Sequence, residues 1–351
     1  MNYRTLGKTG AKISEVGLGT WQLGASDWGS ITEKDALAIL HKAVEKGVSF
    51  LDTADVYGLG VSERTIGKFL QETHEEVHVA TKLCRADWVR GGCKWPAQYT
   101  LEMTRSACQQ SCRNLGVAAL FLQQWHCPPT EWIRQGDLFE HMEQMKKEGL
   151  VRNWGVSVES VEEALLCMQH PGCSTLEVIY NIFRQKLTDE LLPAAKKKNV
   201  GVLARVPLAS GLLTGRFGHG HKFPEKDHRH YNADGTAFNV GETFAGVPFE
   251  KGVDLAEKIK AVLKGVPKAD PDVHREALGS PTTDQASMAQ LALRWILDHD
   301  AVSAVIPGAT KLSQAESNAA ASSLPRLSRA VHGQLRELYE KEIKPAIRGT
   351  Y

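Results

Sequence analysis

The sequence predicts an α/β fold: a closed (β/α)8 TIM barrel with a short N-terminal β-hairpin before it and a long loop after its seventh strand. Three observations point there. Apolar strand-like runs alternate with helical stripes along the chain. Four helix-to-strand joints, Gly47-Val48, Gly116-Val117, Gly149-Leu150 and Asn199-Val200, repeat one pattern that suits a left-handed C-cap. Several of the strands also end on a polar or charged residue, which gathers those groups at the carboxyl edge, where barrels of this type carry their sites. A doubly wound sheet is the alternative, but no GxGxxG follows the first strand to support it.

In chain order, the turn Gly7-Lys8-Thr9-Gly10 lies between short apolar pieces and predicts a hairpin over residues 1–14. Strand 16–18 leads to helix 31–46, whose apolar stripe is Ala36, Ile39, Leu40, Ala43 and Val44. The run from Val48 stops at Asp52 and is followed by a helix over 62–71. Strand 77–82 ends on Lys82, helix 99–115 follows, and strand 119–126 ends on His126. The alternation continues as helix 133–147, strand 151–158, helix 161–169, strand 175–181, helix 189–198 and strand 201–208. It closes with helix 284–298, strand 301–307 and helix 312–321. Two stretches interrupt it. Residues 215–253 are polar and glycine-rich and read as a lid or binding loop, and 266–281 as a surface excursion. No linker divides the chain, so residues 1–351 are expected to form one barrel domain.

Composition narrows the function. Of 351 residues, 42 are basic and 41 acidic, and this near-balance gives no field for nucleic acid or an anionic membrane surface. No apolar run approaches a membrane span. The 7 cysteines form no CxxC pair and are odd in number, which suits a reduced, cytoplasmic protein. Self-association into a homo-oligomer stays open.

At the carboxyl edge, consecutive strands bring Asp52, Lys82 and His126, with Tyr57 on the loop after Asp52. Any one of these has an ordinary structural reading as a cap, a solvated strand end or a packed imidazole. An acid, a phenol, an ammonium and an imidazole together are harder to explain as packing. A lysine beside a phenol favours phenolate and is expected to lower the tyrosine pKa, while Asp52 holds the lysine and His126 orients a substrate oxygen. The set suits proton delivery to a carbonyl oxygen, and a nicotinamide is the natural source of the electrons.

The chain resembles the aldo-keto reductase family. The resemblance rests on Gly17-Leu18-Gly19-Thr20-Trp21, Asp52-Thr53-Ala54-Asp55-Val56-Tyr57-Gly58, Ser62-Glu63-Arg64, Ala80-Thr81-Lys82, Gln124-Trp125-His126, Gly155-Val156-Ser157, Tyr180-Asn181, the run from Pro207 to Gly215, and Ile306-Pro307-Gly308-Ala309. The uninterrupted Pro207-to-Leu213 run is most like the bacterial-type and potassium-channel-beta-subunit-like branch. The resemblance implies a barrel that binds NADP(H), less often NAD(H), in an extended pose and transfers hydride to aldehydes or ketones. By match, Tyr57 is the general acid, Asp52 and Lys82 tune it, and His126 orients the small carbonyl or alcohol substrate. The implied cofactor groove takes Gly19, Thr20, Trp21, Ser157, Glu177, Tyr180, Arg205, Pro207, Leu208, Ser210, Gly211 and Leu213. It continues through Gly308, Thr310, Lys311, Gln314 and Asn318, with Lys311 and Thr310 at a helix N-terminus suited to a 2′-phosphate.

Three positions depart from the family pattern: Val158 where asparagine is common, Glu177 where glutamine is usual, and Arg205 where many members place an aromatic ring. Glu177 and Arg205 are expected to pair with each other beside the nicotinamide. Trp21, Trp88, Trp95 and Trp132 are expected to wall the substrate pocket. No metal site is assigned, although His219, His221, His228 and His230 cluster in the long loop. The competing readings are a sugar or polyol dehydrogenase working in the oxidative direction, a cofactor-binding regulatory subunit with incidental turnover, and a hydrolase built on Asp52 or Asp55 with His126.

Overall fold

The structure, a computed structural model, describes residues 1–24, 31–90, 99–265 and 286–351. Trp95 and the predicted excursion at 266–281 lie outside the described residues. Strands β1 (Tyr3–Thr5) and β2 (Lys12–Ser14) form the expected antiparallel hairpin. Eight parallel strands follow: β3 (Leu18–Gly19), β4 (Phe50–Asp52), β5 (His78–Leu83), β6 (Leu120–His126), β7 (Val151–Ser157), β8 (Thr175–Ile179), β9 (Gly201–Arg205) and β10 (Val302–Val305). They are hydrogen-bonded in the order β10-β9-β8-β7-β6-β5-β4-β3. Parallel bridges Val16–Val305 and Gly19–Gly308 join the first strand region to the last, which closes the TIM barrel.

The hairpin has a packing role. Leu6 and Ile13 are fully buried in one cluster with Phe50, Ala80, Leu122, Leu203, Ala304 and Ile306, side chains that point into the barrel. Burying an aliphatic chain of that size contributes about 1.5–3 kcal/mol. Gly7 has φ 48°, and a Cβ there would lie 2.1 Å from the amide nitrogen of Gly201, the first residue of β9. The hairpin therefore plugs the amino end of the barrel and leaves the carboxyl end free for chemistry. A larger apolar cluster fills the space between the strands and the outer helices.

The four predicted joints are left-handed, with φ of 88° at Gly47, 68° at Gly116, 76° at Gly149 and 52° at Asn199. These short links sit at the plugged end, so the longer loops gather at the other.

Several boundaries differ from expectation. The helix expected over 133–147 is two, Thr130–Gln135 and Asp137–Lys147, because Gly136 at φ 87° caps the first and starts the second. The strand expected over 201–208 stops at Arg205, because Val206 turns to φ 51°. The long loop is shorter than expected, giving way at Phe249 to a helix, Phe249–Gly265, that the alternation did not predict. Helices Arg85–Arg90 and Arg329–Leu338 were also not expected. Among the described residues no helix is long and apolar enough to cross a membrane.

Candidate active site

Asp52 ends β4, Lys82 lies in β5, His126 ends β6, Glu177 lies in β8 and Arg205 ends β9. Tyr57 sits on the loop after β4. Gly58, at φ 61°, lets that loop touch the chain at Gly24, where a Cβ would stand 1.7 Å from the carbonyl oxygen. The four predicted groups converge. Lys82 is fully buried and its Nζ donates to Asp52 Oδ2 at 2.6 Å and to the carbonyl of Thr53 at 3.1 Å. The same Nζ lies 5.3 Å from the centre of the Tyr57 ring, and the Tyr57 and His126 rings meet edge-to-face at 6.0 Å. Trp21 stacks on Tyr57 at 5.9 Å and packs on His228 at 4.9 Å.

Lys82 has a second carboxylate partner. Glu177 Oε1 is 3.4 Å from its Nζ, and Glu177 Oε2 accepts from Gln124 Nε2 at 2.7 Å. The expected Glu177–Arg205 pair does not form. Arg205 instead donates to the Val158 carbonyl at 3.2 Å and the Cys127 sulfur at 3.5 Å, and it lies 3.5 Å from Glu242. A carboxylate of the long loop thus neutralises Arg205 and leaves Glu177 to the lysine.

The surroundings of Tyr57 also reverse an expectation about its phenol. Burial pushes its phenol above the ordinary value, Lys82 pulls it down, and Asp52, Glu177 and Glu242 push it up again. The net direction is upward, because burial is the largest influence and three carboxylates offset the ammonium that was expected to acidify the phenol. Burial also raises the Asp52 carboxyl well above the usual range, helped by Glu177 and opposed by Lys82. Burial disfavours the Lys82 ammonium, but Asp52 and Glu177 outweigh it and hold its pKa up. Burial, with Arg85, Lys82 and Arg205, drives His126 well below its ordinary value, so the imidazole is neutral.

A cleft of about 400 Å³ opens over these groups. Of the predicted residues, Gly19, Thr20, Trp21, Asp52, Tyr57, His126, Glu177, Arg205, Pro207, Leu208, Ser210, Gly211, Gly308, Thr310 and Gln314 line it. Lys82 stands behind Asp52 and Glu177 rather than on the surface. Tyr180 is not in the cleft: it faces outward, packs on Trp295 and shares a hydrogen bond with Thr188. Ser157 is buried against Cys127, and Leu213 belongs to the outer core. Asn318 braces the loop after β10 by donating to the Gly308 carbonyl. Lys311 is exposed outside the cleft, and the amides of Thr310 and Lys311 both donate to Gln314 Oε1, so a side chain already caps that helix. Trp132 packs near Tyr99 and the outer core instead of walling the cleft. The Trp88 side chain lies outside the described set.

The cleft also has residues that pattern reasoning missed, among them Gln22, Arg216, Phe217, Arg229 and Glu242. Four of these lie on or beside the long loop, whose sequence gave no periodicity by which to place them. Arg229 is held by Asp227 through two hydrogen bonds and lies over Phe223.

Known proteins resemble this chain along most of its length. A model of the aldo/keto reductase family matches residues 15–340. The chain belongs to that family. The aldo-keto reductase YhdN of Bacillus subtilis is 28% identical over 90% of this chain and 87% of its own. Among solved structures, the glycerol dehydrogenase of Gluconobacter oxydans aligns at TM-score 0.72 with 25% identity, over 99% of this chain and 98% of its own. An aldo-keto reductase of Klebsiella pneumoniae in complex with NADPH aligns at 0.65 with 23% identity, over 97% and 96%.

In this aldo/keto reductase the Ser62-Glu63 motif is a brace. Ser62 bonds Thr20 and Thr53, and Glu63 accepts from Thr81 of β5 and from Asn114, which fixes the loop that carries Tyr57 and the strand that carries Lys82. The long loop is tied across the cleft by ions. Arg85 reaches Glu159 and Glu242, each at 3.3 Å, Asn239 bonds Glu159, and the Ser210 hydroxyl links the loop after β9 to Glu242 and Phe244. Cys127, Glu159 and Glu242 form the one metal-like cluster among the described residues. Arg85 and Arg205 already supply the positive charge there. The loop histidines do not share a site: His219 pairs with Glu250 and Asp254 in solvent, His221 packs on Phe217, and His228 is buried against Trp21.

Proposed function

We propose that this chain is an NADP(H)-dependent oxidoreductase that reduces aldehydes and ketones to alcohols, with Tyr57 as the general acid. The observation that carries the reading is the convergence of Asp52, Tyr57 and His126, with Lys82 directly behind Asp52, on one cleft that also takes in the loops after β9 and β10.

The residues present fit a dinucleotide. Gly308 brings the backbone to the cleft, where a Cβ would stand 2.1 Å from Gln22. Gly211, at φ 101°, does the same beside Phe217. His126 Nδ1 and Arg205 Nε are buried without a hydrogen-bond partner, as suits polar groups whose ligand comes from outside the chain. The Klebsiella relative binds NADPH. Arg216 lines the cleft and Lys311 does not, which makes Arg216 the better candidate for a cofactor phosphate.

A bound dihydronicotinamide supplies the hydride, and the chain supplies the rest. Tyr57 gives its hydroxyl proton to the carbonyl oxygen as it becomes an alkoxide. The neutral His126 ring hydrogen-bonds that oxygen and aims the carbonyl carbon. Lys82, held by Asp52, stabilises the phenolate left behind. The raised pKa of Tyr57 keeps the phenol protonated at neutral pH, which favours reduction. The reverse reaction needs phenolate and strengthens as pH rises. Likeness to a glycerol dehydrogenase supports a polyol as the alcohol for that second reading.

The test is NADPH oxidation with a panel of aldehydes at pH 7, beside polyol oxidation with NADP⁺ at pH 7 and pH 9. Quenching of tryptophan fluorescence reads binding separately. Binding without turnover across the panel favours a regulatory subunit, and neither binding nor turnover refutes the assignment.

A further inference from the structure

Two carboxylates share one ammonium at the bottom of the cleft. Asp52 and Glu177 come from strands on different sides of β5, and both reach Lys82 Nζ, at 2.6 and 3.4 Å. All three residues are at most 3% exposed. The other buried charges nearby, Arg85, Arg184 and Arg205 with Glu159 and Glu242, interact chiefly among themselves. Arg205 faces Glu242 at 3.5 Å, and Arg85 is divided between Glu242 and Glu159. Gln124, the other partner of Glu177, is uncharged, and the Tyr57 phenol and the His126 imidazole carry no charge at neutral pH. Counted fully ionised, Asp52, Glu177 and Lys82 alone hold one negative charge more than they hold positive, in a site that is almost wholly buried. Like charges in such a site do not both ionise freely, and the excess is relieved by a proton. Asp52 Oδ1 has no hydrogen-bond partner, so it is free to carry one.

We propose that Glu177 is a positioning residue that acts through Lys82, and that its charge there leaves Asp52 holding a proton which leaves to solvent when an oxidised nicotinamide binds. The inference rests on the reading of the cleft as a nicotinamide site. The oxidised ring carries a positive charge and the reduced ring carries none. Glu177 lines the cleft beside Tyr57 and His126, where hydride transfer must occur. A cation there removes the reason for the proton to stay, whereas a neutral ring does not. The upward direction of Asp52, with burial first and Glu177 second among its causes, agrees. The consequence is a pH-dependent preference: the site favours the oxidised cofactor more strongly as pH rises. A glutamine at position 177 would leave Lys82 matched by Asp52 alone and abolish that preference.

The experiment measures the affinities of NADP⁺ and NADPH from pH 6 to pH 9 by tryptophan quenching, for the parent and for Glu177→Gln and Glu177→Asp. In the parent the affinity ratio shifts toward NADP⁺ by up to about tenfold per pH unit, the slope of one linked proton. Glu177→Gln flattens the slope and weakens NADP⁺ by roughly tenfold relative to NADPH. Glu177→Asp keeps the charge and keeps the slope. Should Glu177→Gln fail to fold, calorimetry of the parent in two buffers of different ionisation enthalpy counts the protons directly, one for NADP⁺ and none for NADPH. A parent ratio independent of pH, equal proton counts, or a Glu177→Gln slope like the parent's overturns the proposal. Failure of the parent to bind either nucleotide overturns the cofactor reading instead, so the two failures are distinct.

Discussion

Replacing Lys82 with methionine isolates the buried ion group from catalysis. The ammonium faces Asp52 at 2.6 Å and Glu177 at 3.4 Å. At an effective dielectric of about 20, unit charges at those separations attract by roughly 6 and 5 kcal/mol. Desolvation of the buried groups offsets most of that attraction. What remains on deleting one partner is typically about 3–5 kcal/mol, because the survivors are left uncompensated. The cost must depend on pH, and its sign follows from Asp52. Its folded-state pKa is already raised, and losing Lys82 removes the largest influence that lowers it. A carboxyl with a raised folded value stabilises the fold while it holds its proton, and that stabilisation is lost as pH rises through the folded value. The deficit of Lys82→Met, read from urea unfolding, is therefore expected to be near its full size at pH 8 and clearly smaller at pH 5. An equal deficit at both pH values, or none at either, would show that Lys82 does not stand between two buried carboxylates.

Other outcomes follow from the same geometry. Tyr57→Phe should cut turnover by about 10²–10⁴-fold, the usual worth of a general acid, while NADPH still quenches tryptophan fluorescence; turnover at the parent's rate would remove Tyr57 from the mechanism. His126, held neutral well below its ordinary pKa, should put no inflection near pH 6.5 into the kcat/KM profile, and an inflection that vanishes in His126→Asn would contradict this. Burial lifts the Cys127 thiol to about 12. At pH 8 only roughly one molecule in ten thousand is then thiolate, so iodoacetamide should label Cys127 in urea and not in the native protein, as mass spectrometry of the peptide can show. Gly308→Val should weaken NADPH at least about tenfold, because the new side chain enters the cleft against Gln22. Its unfolding free energy should change little, since the Gln22 tip can move aside.

Much of the barrel could be read from residue types. The alternation of apolar runs and stripes, and the glycine or asparagine at four joints, marked the plugged end because left-handed caps demand those residues. Asp52, Lys82 and His126 could be found because each ends or nearly ends an apolar strand. Tyr180 was misplaced for a reason of parity. With Glu177 pointing into the barrel, a residue three positions on points out, and Tyr180 packs on Trp295. The Glu177–Arg205 pairing failed for a different reason. Neighbouring strands make it plausible, but Arg205 found Glu242 on a loop with no period to place it. Chain far away in sequence settled that choice of partner.

The catalytic end differs from the plugged end in how it spends conformational energy. At the plugged end the left-handed positions are glycine or asparagine, which adopt them easily. At the catalytic end they fall not only on glycines but also on Cys84 after β5, Cys127 after β6, and Val206, Ala209 and Ser210 after β9, residues that resist positive φ. Such positions cost about 1–3 kcal/mol each and persist only where the surroundings over-determine them. Those surroundings can be named: the Cys84 amide donates to Asp55, the Cys127 amide to the Ser157 carbonyl, and the Ser210 hydroxyl bridges Glu242 and Phe244. Residue type carries no trace of this strain, which is why the strand was expected to run on to 208 although it ends at Arg205. The strain turns the chain sharply at the ends of the strands that carry His126 and Arg205, and so opens a cleft above them. Relaxing it with glycine at Val206 should therefore stabilise the loop's backbone yet blur the cleft. Unfolding free energy and NADPH affinity, measured together on Val206→Gly, separate the two effects, and a tighter Kd in that variant would refute the role given to the strain.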